Sequence, residues 1–189
     1  MKDAGSKLQL RRRREGNTHY KLRLGLLKSG KTRVVVRKSL NNIVIQFINY
    51  SADGDNVLMT ISSKQLVKLG WKAHTGNIPT AYLTGLLAAK TAKEVGDSIL
   101  DVGLSGLTKG CALFAVLQGL VDGGLKISYS KEVLLSPERI SGKHIEDYAK
   151  SLKGTPEFEK QFSKYKKNNF NPEELSKHFN EIKQKIMKG

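Results

Sequence analysis

The stretch from Leu8 to Ser39, LQLRRRREGNTHYKLRLGLLKSGKTRVVVRKS, carries a charge density that no protein interior accepts. Residues 1–40 hold 13 Lys and Arg against 2 Asp and Glu, opening on Arg11, Arg12, Arg13 and Arg14. Residues 41–135 hold 8 against 7 and residues 136–189 hold 12 against 8, so most of the net charge of +16 sits in the first fifth of the chain. Like charges this dense repel one another and call for a polyanion as counter-charge. A phosphate backbone supplies one, and release of its condensed counterions favours binding.

Two anionic partners compete, nucleic acid and a membrane surface. Arginines followed by Asn17, Thr18, His19 and Tyr20 favour RNA, because guanidinium forks and amides address phosphates and an aromatic ring stacks on an unpaired base. A membrane anchor needs a broad apolar face beside its basic one, and Leu22, Leu24, Leu26 and Leu27 give only a fragmentary one. A solvated tail is the bland alternative. It does not explain why the basic run continues into the β-branched segment Arg33-Val-Val-Val-Arg37-Lys38-Ser39.

The remaining composition narrows the function classes. A chain of 189 residues with 39% hydrophobic content holds a real core but leaves part of itself as polar arm. The single Cys111 excludes an intramolecular disulfide, and four scattered histidines form no zinc pattern. No apolar segment nears the length of a membrane span and the basic N-terminus has no apolar run behind it, so the chain is expected in the cytoplasm. The sequon Asn49-Tyr50-Ser51 then has no meaning for glycosylation.

Three units are expected: a basic arm over 1–32, an α/β core over 33–135, and a loop and helical extension over 136–189. A short helix around Tyr20–Leu27 closes at Ser29-Gly30. Strands are predicted at Thr32–Lys38, Ile43–Tyr50 and Val57–Ser62, joined by short turns at Asn41-Asn42 and Asp53-Gly54-Asp55 and therefore an antiparallel meander. Residues 70–78 read as a loop. A helix follows from about Pro79 to Val95, capped by Asn77, with Lys90 and Lys93 near its end and Gly96 as a stop. Ser98–Leu104 is a fourth strand, Gly110–Val121 a second helix and Leu125–Tyr129 a short fifth strand. This order gives a mixed sheet with α-β-α crossovers, parallel and right-handed where helices link strands, in a ribonuclease H-like arrangement. Beyond Ser136-Pro137, helices are expected at Glu146–Leu152, Pro156–Tyr165 and from Asn171 onward. The last carries Leu175, Phe179, Ile182 and Ile186 as one apolar stripe, which docks on the domain's own flank or on a partner.

Several motifs tempt and fail. Gly25-Leu-Leu-Lys-Ser-Gly30-Lys31-Thr32 matches the phosphate-loop pattern letter for letter. That loop needs a buried strand before it and a helix after it, and here a basic segment precedes and a strand follows. A ribonuclease H-like nuclease needs converging carboxylates for two metal ions; the first strand offers Arg33, Arg37 and Lys38, the first core helix only Glu94, and Asp101 stands alone. Cys111 and the histidines His19, His74, His144 and His178 lie in separate contexts, so no nucleophile has a base. No cofactor, metal or small-molecule substrate is implied, and no motif argues for an enzyme. What remains is binding. In Gly70-Trp71-Lys72-Ala73-His74-Thr75-Gly76-Asn77, Trp71 either stacks on a base or plugs the core beneath the loop. Ser136–His144 reads as a polar, basic loop, a plain connector in the first place, with Arg139 and Lys143 reaching RNA as the alternative.

These residues bear a family resemblance. RRRREGNTHYKLRLGLLKSGKTRVVVRKS, GWK, IPTAYLTGLLAAKTA, ILDVGL and SPERISGKHI, in order over roughly residues 7–148, resemble archaeal large-subunit ribosomal protein eighteen, whose eukaryotic counterpart is large-subunit protein five. The resemblance implies a non-catalytic protein that binds 5S ribosomal RNA, anchors it in the central protuberance, and contacts the 23S-type large-subunit RNA and neighbouring ribosomal proteins. It implies RNA contacts from Arg11, Arg12, Arg13, Arg14, Asn17, Thr18, Tyr20, Lys21 and Arg23 in the arm. Lys31, read as a phosphate contact at the hairpin approach, joins Arg33, Arg37, Lys38 and Ser39 on the first strand and Trp71 and Lys72 in the loop. It also implies an acidic residue where His19 stands. A non-ribosomal RNA-binding or assembly module on the same fold is the alternative.

Overall fold

Three β-branched residues in a row, Val34, Val35 and Val36, are covered on both sides, because the strand that contains them lies inside a sheet. The structure, a computed structural model, describes residues 8–92 and 95–188; Met1 to Lys7, the expected helix residues Lys93 and Glu94, and Gly189 lie outside it. Helix α1 (Arg11–Arg14) and helix α2 (Tyr20–Lys28) precede strand β1 (Thr32–Lys38). Strands β2 (Ile43–Ser51) and β3 (Gly54–Ser62) complete the antiparallel meander, Lys38 pairing with Ile43 across the first turn. The turn closes through Ser39, whose hydroxyl donates to Asn42 O and accepts from Asn42 N, both at 3.0 Å. Leu58 is an extra residue on β3, where the β2–β3 register shifts.

A short helix α3 (Lys64–Lys68) and a loop lead to α4 (Ile78–Thr91). Asn77 caps α4 as its sequence suggests, its side-chain oxygen accepting from Thr80 N at 2.9 Å. Strand β4 (Ser98–Asp101) then joins β1 in parallel, giving the sheet order β3-β2-β1-β4. It is shorter than the predicted Ser98–Leu104, because the Asp101 carboxylate turns back to accept from Gly103 N at 2.9 Å. The predicted fifth strand reduces to a single bridge, Ser98 to Ile127.

Alternation assigns the two faces of the sheet. Val34, Val36, Ile43, Ile45, Phe47 and Ile61 point to the main core, with α4 and α5 (Ala112–Asp122). Those two helices touch backbone to backbone. A Cβ on Gly85 would run into the Val116 carbonyl and one on Gly119 into the Tyr82 carbonyl, so glycine sets how closely they cross. Arg33, Val35 and Arg37 point to the other face.

The extension departs most from the sequence reading. Ser136–His144 is not a plain connector. Ser136 caps a helix α6 (Pro137–Ser141), with proline in its first turn, and Gly142 at φ 89° turns the chain directly into α7 (Lys143–Ser151). The expected single helix over Pro156–Tyr165 breaks at Phe162 into α8 (Pro156–Gln161) and α9 (Ser163–Lys167). Helix α10 (Leu175–Lys188) follows a 3-10 turn capped by Asn171. Its stripe of Leu175, Phe179, Ile182 and Ile186 is buried in the chain's own core, against α4 and its neighbours. Phe179 packs on Tyr82 with ring centres 5.6 Å apart.

Candidate nucleic-acid interface

The arm begins with four adjacent cations on a single helical turn, and all four are exposed. Arg11 Nε lies 3.0 Å from Glu15 Oε1, a solvent-exposed pair worth little. Arg12 Nε donates to Thr18 Oγ1 at 2.9 Å and Asn17 Nδ2 to Glu15 Oε2 at 3.0 Å, which folds the 15–18 turn back on α1. Arg12, Arg13 and Arg14 have no carboxylate partner among the described residues. His19 then caps α2, Nδ1 accepting from Leu22 N at 3.1 Å. An aspartate or asparagine is the usual residue for such a cap; here the imidazole supplies the acceptor. Lys21 and Lys28 are exposed on α2 without an acidic partner among the described residues, and Tyr20 is half-buried.

Arg33 corrects the reading of the strand. It is 2% exposed, and its guanidinium spans two carboxylates, Nη1 3.1 Å from Asp101 Oδ2 and Nη2 2.8 Å from Asp55 Oδ2. A buried charge is tolerated only when paired, and these partners leave it unavailable to a phosphate. Arg23 Nη2 reaches the same Asp55 oxygen at 2.7 Å, and Arg37 Nη2 lies 3.5 Å from Asp101 Oδ1 while its Nη1 donates to Asp101 O at 3.0 Å. Burial pushes the Asp55 carboxyl up, but the hydrogen bonds and charges of Arg23 and Arg33 outweigh it and hold it below the usual range. Arg23, Arg33 and Arg37 therefore serve first as structural cations that join α2, the β3 end and β4. Only Arg37 keeps an exposed side chain for a further contact.

Trp71 corrects the reading of the loop. At 2% exposure it fills the core, its Nε1 donating to Thr80 Oγ1 at 2.9 Å, and His178 of α10 stacks on it at 5.1 Å. Its ring is closed to a base. Lys72 beside it is exposed, as are Lys38, Ser39 and Lys31. The hydroxyl of Ser39 is committed to its turn, and Lys31 lies 3.7 Å from the exposed Asp97. The phosphate-loop match is void: Gly25 sits inside α2 and Thr32 opens β1, helix before and strand after. No group of three His, Cys, Asp or Glu able to hold a metal occurs among the described residues. None of their helices is long and apolar enough to cross a membrane.

Sequence reasoning missed the counter-ions. Asp101 stood out only as a lone carboxylate on an apolar strand, yet that position was the signal, since a buried Asp requires a cation. Asp55, in a turn, gave no signal at all.

Known proteins decide the family. The profile described as "Ribosomal large subunit proteins 60S L5, and 50S L18" matches residues 6–97. The large ribosomal subunit protein uL18 of Methanococcus maripaludis is 50% identical over 188 residues, covering 98% of this chain and 97% of the relative. The chain belongs to the archaeal uL18 family. As a member of the uL18 family it is a structural component of the large subunit of the cytoplasmic ribosome, with ribosomal RNA and other ribosomal proteins as partners, and it is not an enzyme. The profile's match covers α1, α2 and the sheet's meander, so Arg23, Arg33 and their shared partner Asp55 lie inside it, while Asp101 lies beyond its end.

Proposed function

We propose that the chain binds 5S ribosomal RNA through its basic arm and anchors it in the central protuberance of the large subunit. The carrying observation is the set of exposed arginines on α1 that lack acidic partners, beside Lys21 and Lys28 on α2. Arg12, Arg13, Arg14, Lys21 and Lys28 act as phosphate contacts; Tyr20 and Asn17 stand where an unpaired base would meet the arm. Lys31, Arg37, Lys38 and Lys72 extend the contact along the sheet. The sheet order, with β4 parallel to β1 after an antiparallel meander, supports the ribonuclease H-like arrangement as its platform. The resemblance over residues 7–148 supports 5S RNA as the partner.

The test is the salt dependence of binding. Removing one phosphate contact lowers the slope of log affinity against log salt by about 0.7–0.9. Replacing Arg11, Arg12, Arg13 and Arg14 by alanine is expected to weaken 5S RNA binding and flatten that slope by about 2–2.7, the share of the three arginines without an acidic partner among the described residues. An unchanged slope contradicts the arm's role.

A further inference from the structure

A strand edge that water reaches offers unpaired backbone N–H and C=O groups to another chain. This sheet has two edges, β3 and β4. The β4 edge is four residues long, and its Ser98 already meets Ile127 and donates its N–H to Lys126 O at 3.0 Å. The β3 edge runs nine residues, and among the described residues its backbone bonds only to β2. Residues 54–58 and Thr60 are exposed.

Soluble proteins blunt such an edge with lysine, proline, short length or a bulge. Strand β3 carries the bulge at Leu58 but no lysine and no proline. The lack of cations reaches further, for none of the chain's 33 Lys and Arg falls within residues 39–63. The β2–β3 hairpin therefore brings no cation of its own to a phosphate. Its charges are Asp53 and Asp55. Arg23 and Arg33 hold Asp55, whereas Asp53 at the turn is exposed and has no cationic partner among the described residues. Apolar side chains line the edge instead. Val57 is 45% exposed, Leu58 48%, and Tyr50, across from Asp55 on β2, 59%. Val57 pairs with Ile48, so it shares the Arg33 side of the sheet with Tyr50.

Three occupants compete for this edge. RNA is poorly matched, because phosphate contacts need cations that the hairpin lacks. A second copy is poorly matched too: two chains of net charge +16 repel, and each would present Asp53 to the other's acid-bearing edge. An extended segment of another protein fits every feature. Its backbone completes the open ladder, alternate side chains cover Val57 and Tyr50, and a lysine or arginine meets Asp53. We propose that β3 is a docking edge at which such a segment, from a neighbouring protein of the large subunit, adds as a further strand. The bulge at Leu58 bends the edge, which bars unselected strands and favours a partner shaped to it. The inference rests on membership of the uL18 family, not on 5S RNA binding or on the arm's contacts.

The experiment compares hydrogen exchange of the unmodified chain, free and within purified large subunits. Successive amides of a strand point to opposite sides, and those facing β2 are already bonded in the free chain. Assembly is therefore expected to slow the outward-facing amides of β3 by about tenfold or more and to leave the others as they were. A photoreactive residue at Val57 is expected to crosslink, in assembled subunits, to one segment of another protein. Asp53→Lys is expected to cut the added protection by about threefold, and Asp53→Glu to keep it. Exchange that does not change on assembly, crosslinks to RNA or to a second copy, no crosslink, or wild-type protection in Asp53→Lys each overturns the proposal. If a variant fails to enter subunits, the exchange of the unmodified chain decides alone. The arm is judged separately by the salt slope of 5S RNA binding to the free chain, so either reading can fail while the other stands.

Discussion

Individual cations in this chain divide by the partner they find. Arg33 is held by Asp55 and Asp101 inside the fold, Arg11 by an exposed Glu15, and Arg12 to Arg14 by no acid among the described residues. Removing one partner of a buried pair leaves the other charge stranded, at about 3–5 kcal/mol. Asp101→Asn is therefore expected to destabilise the isolated protein by about 3 kcal/mol, the lower end because Asp55 remains. The shift of the urea midpoint checks it, and a change under about 0.5 kcal/mol contradicts the buried-pair role. At this scale the sequence was only half informative. Charge type was visible residue by residue, but whether an arginine faces a phosphate or an aspartate depends on strand pairing. Arg33 and Arg12 look alike in a string of letters, and only the parallel register that sets Val35 against Asp101 separates them. Trp71 was likewise undecidable until α10 stacked His178 upon it.

Among the elements, the ones legible from local chemistry are those whose signals are local. Strands β1 and β2 and the α4 cap followed from β-branched runs and from Asn77 before Ile78-Pro79. Helix α6 carried the same kind of signal in Ser136-Pro137-Glu138, and its brevity hid it. The break at Phe162 and the reduction of the fifth strand to one bridge come from packing, which a periodic pattern does not encode. Docking of the last helix gives a pH dependence. His178 accepts from Lys72 N, His74 from Gly76 N, and burial is the first cause that lowers both, as it lowers His144, where Arg139 adds to the effect and Asp147 opposes it. A histidine held below its ordinary value of 6.5 binds fewer protons folded than unfolded, so stability falls as pH drops through 6.5 and continues to fall toward the lowered values. Melting of the isolated protein is expected at lower temperature near pH 5 than near pH 7.5, with α10 loosening first by hydrogen exchange. A flat or rising profile across that range contradicts this packing of the extension.

The whole molecule is a one-sided sheet. Its apolar face is sealed by α4 and α5, its other face is knit by arginine and aspartate, and Arg12, Arg13 and Arg14 on α1 stay exposed without an acidic partner among the described residues. Such a layout keeps the core neutral while leaving exposed positive charge to be matched by RNA, as the uL18 family's place in the ribosome requires. Where the arm's arginines go is the claim on which the rest depends. The direct measurement is crosslinking within purified large subunits, with arm peptides across residues 8–28 sequenced together with the RNA attached to them. Attachment of those peptides to 5S RNA is the predicted result; attachment only to other RNA or to acidic protein neighbours contradicts it.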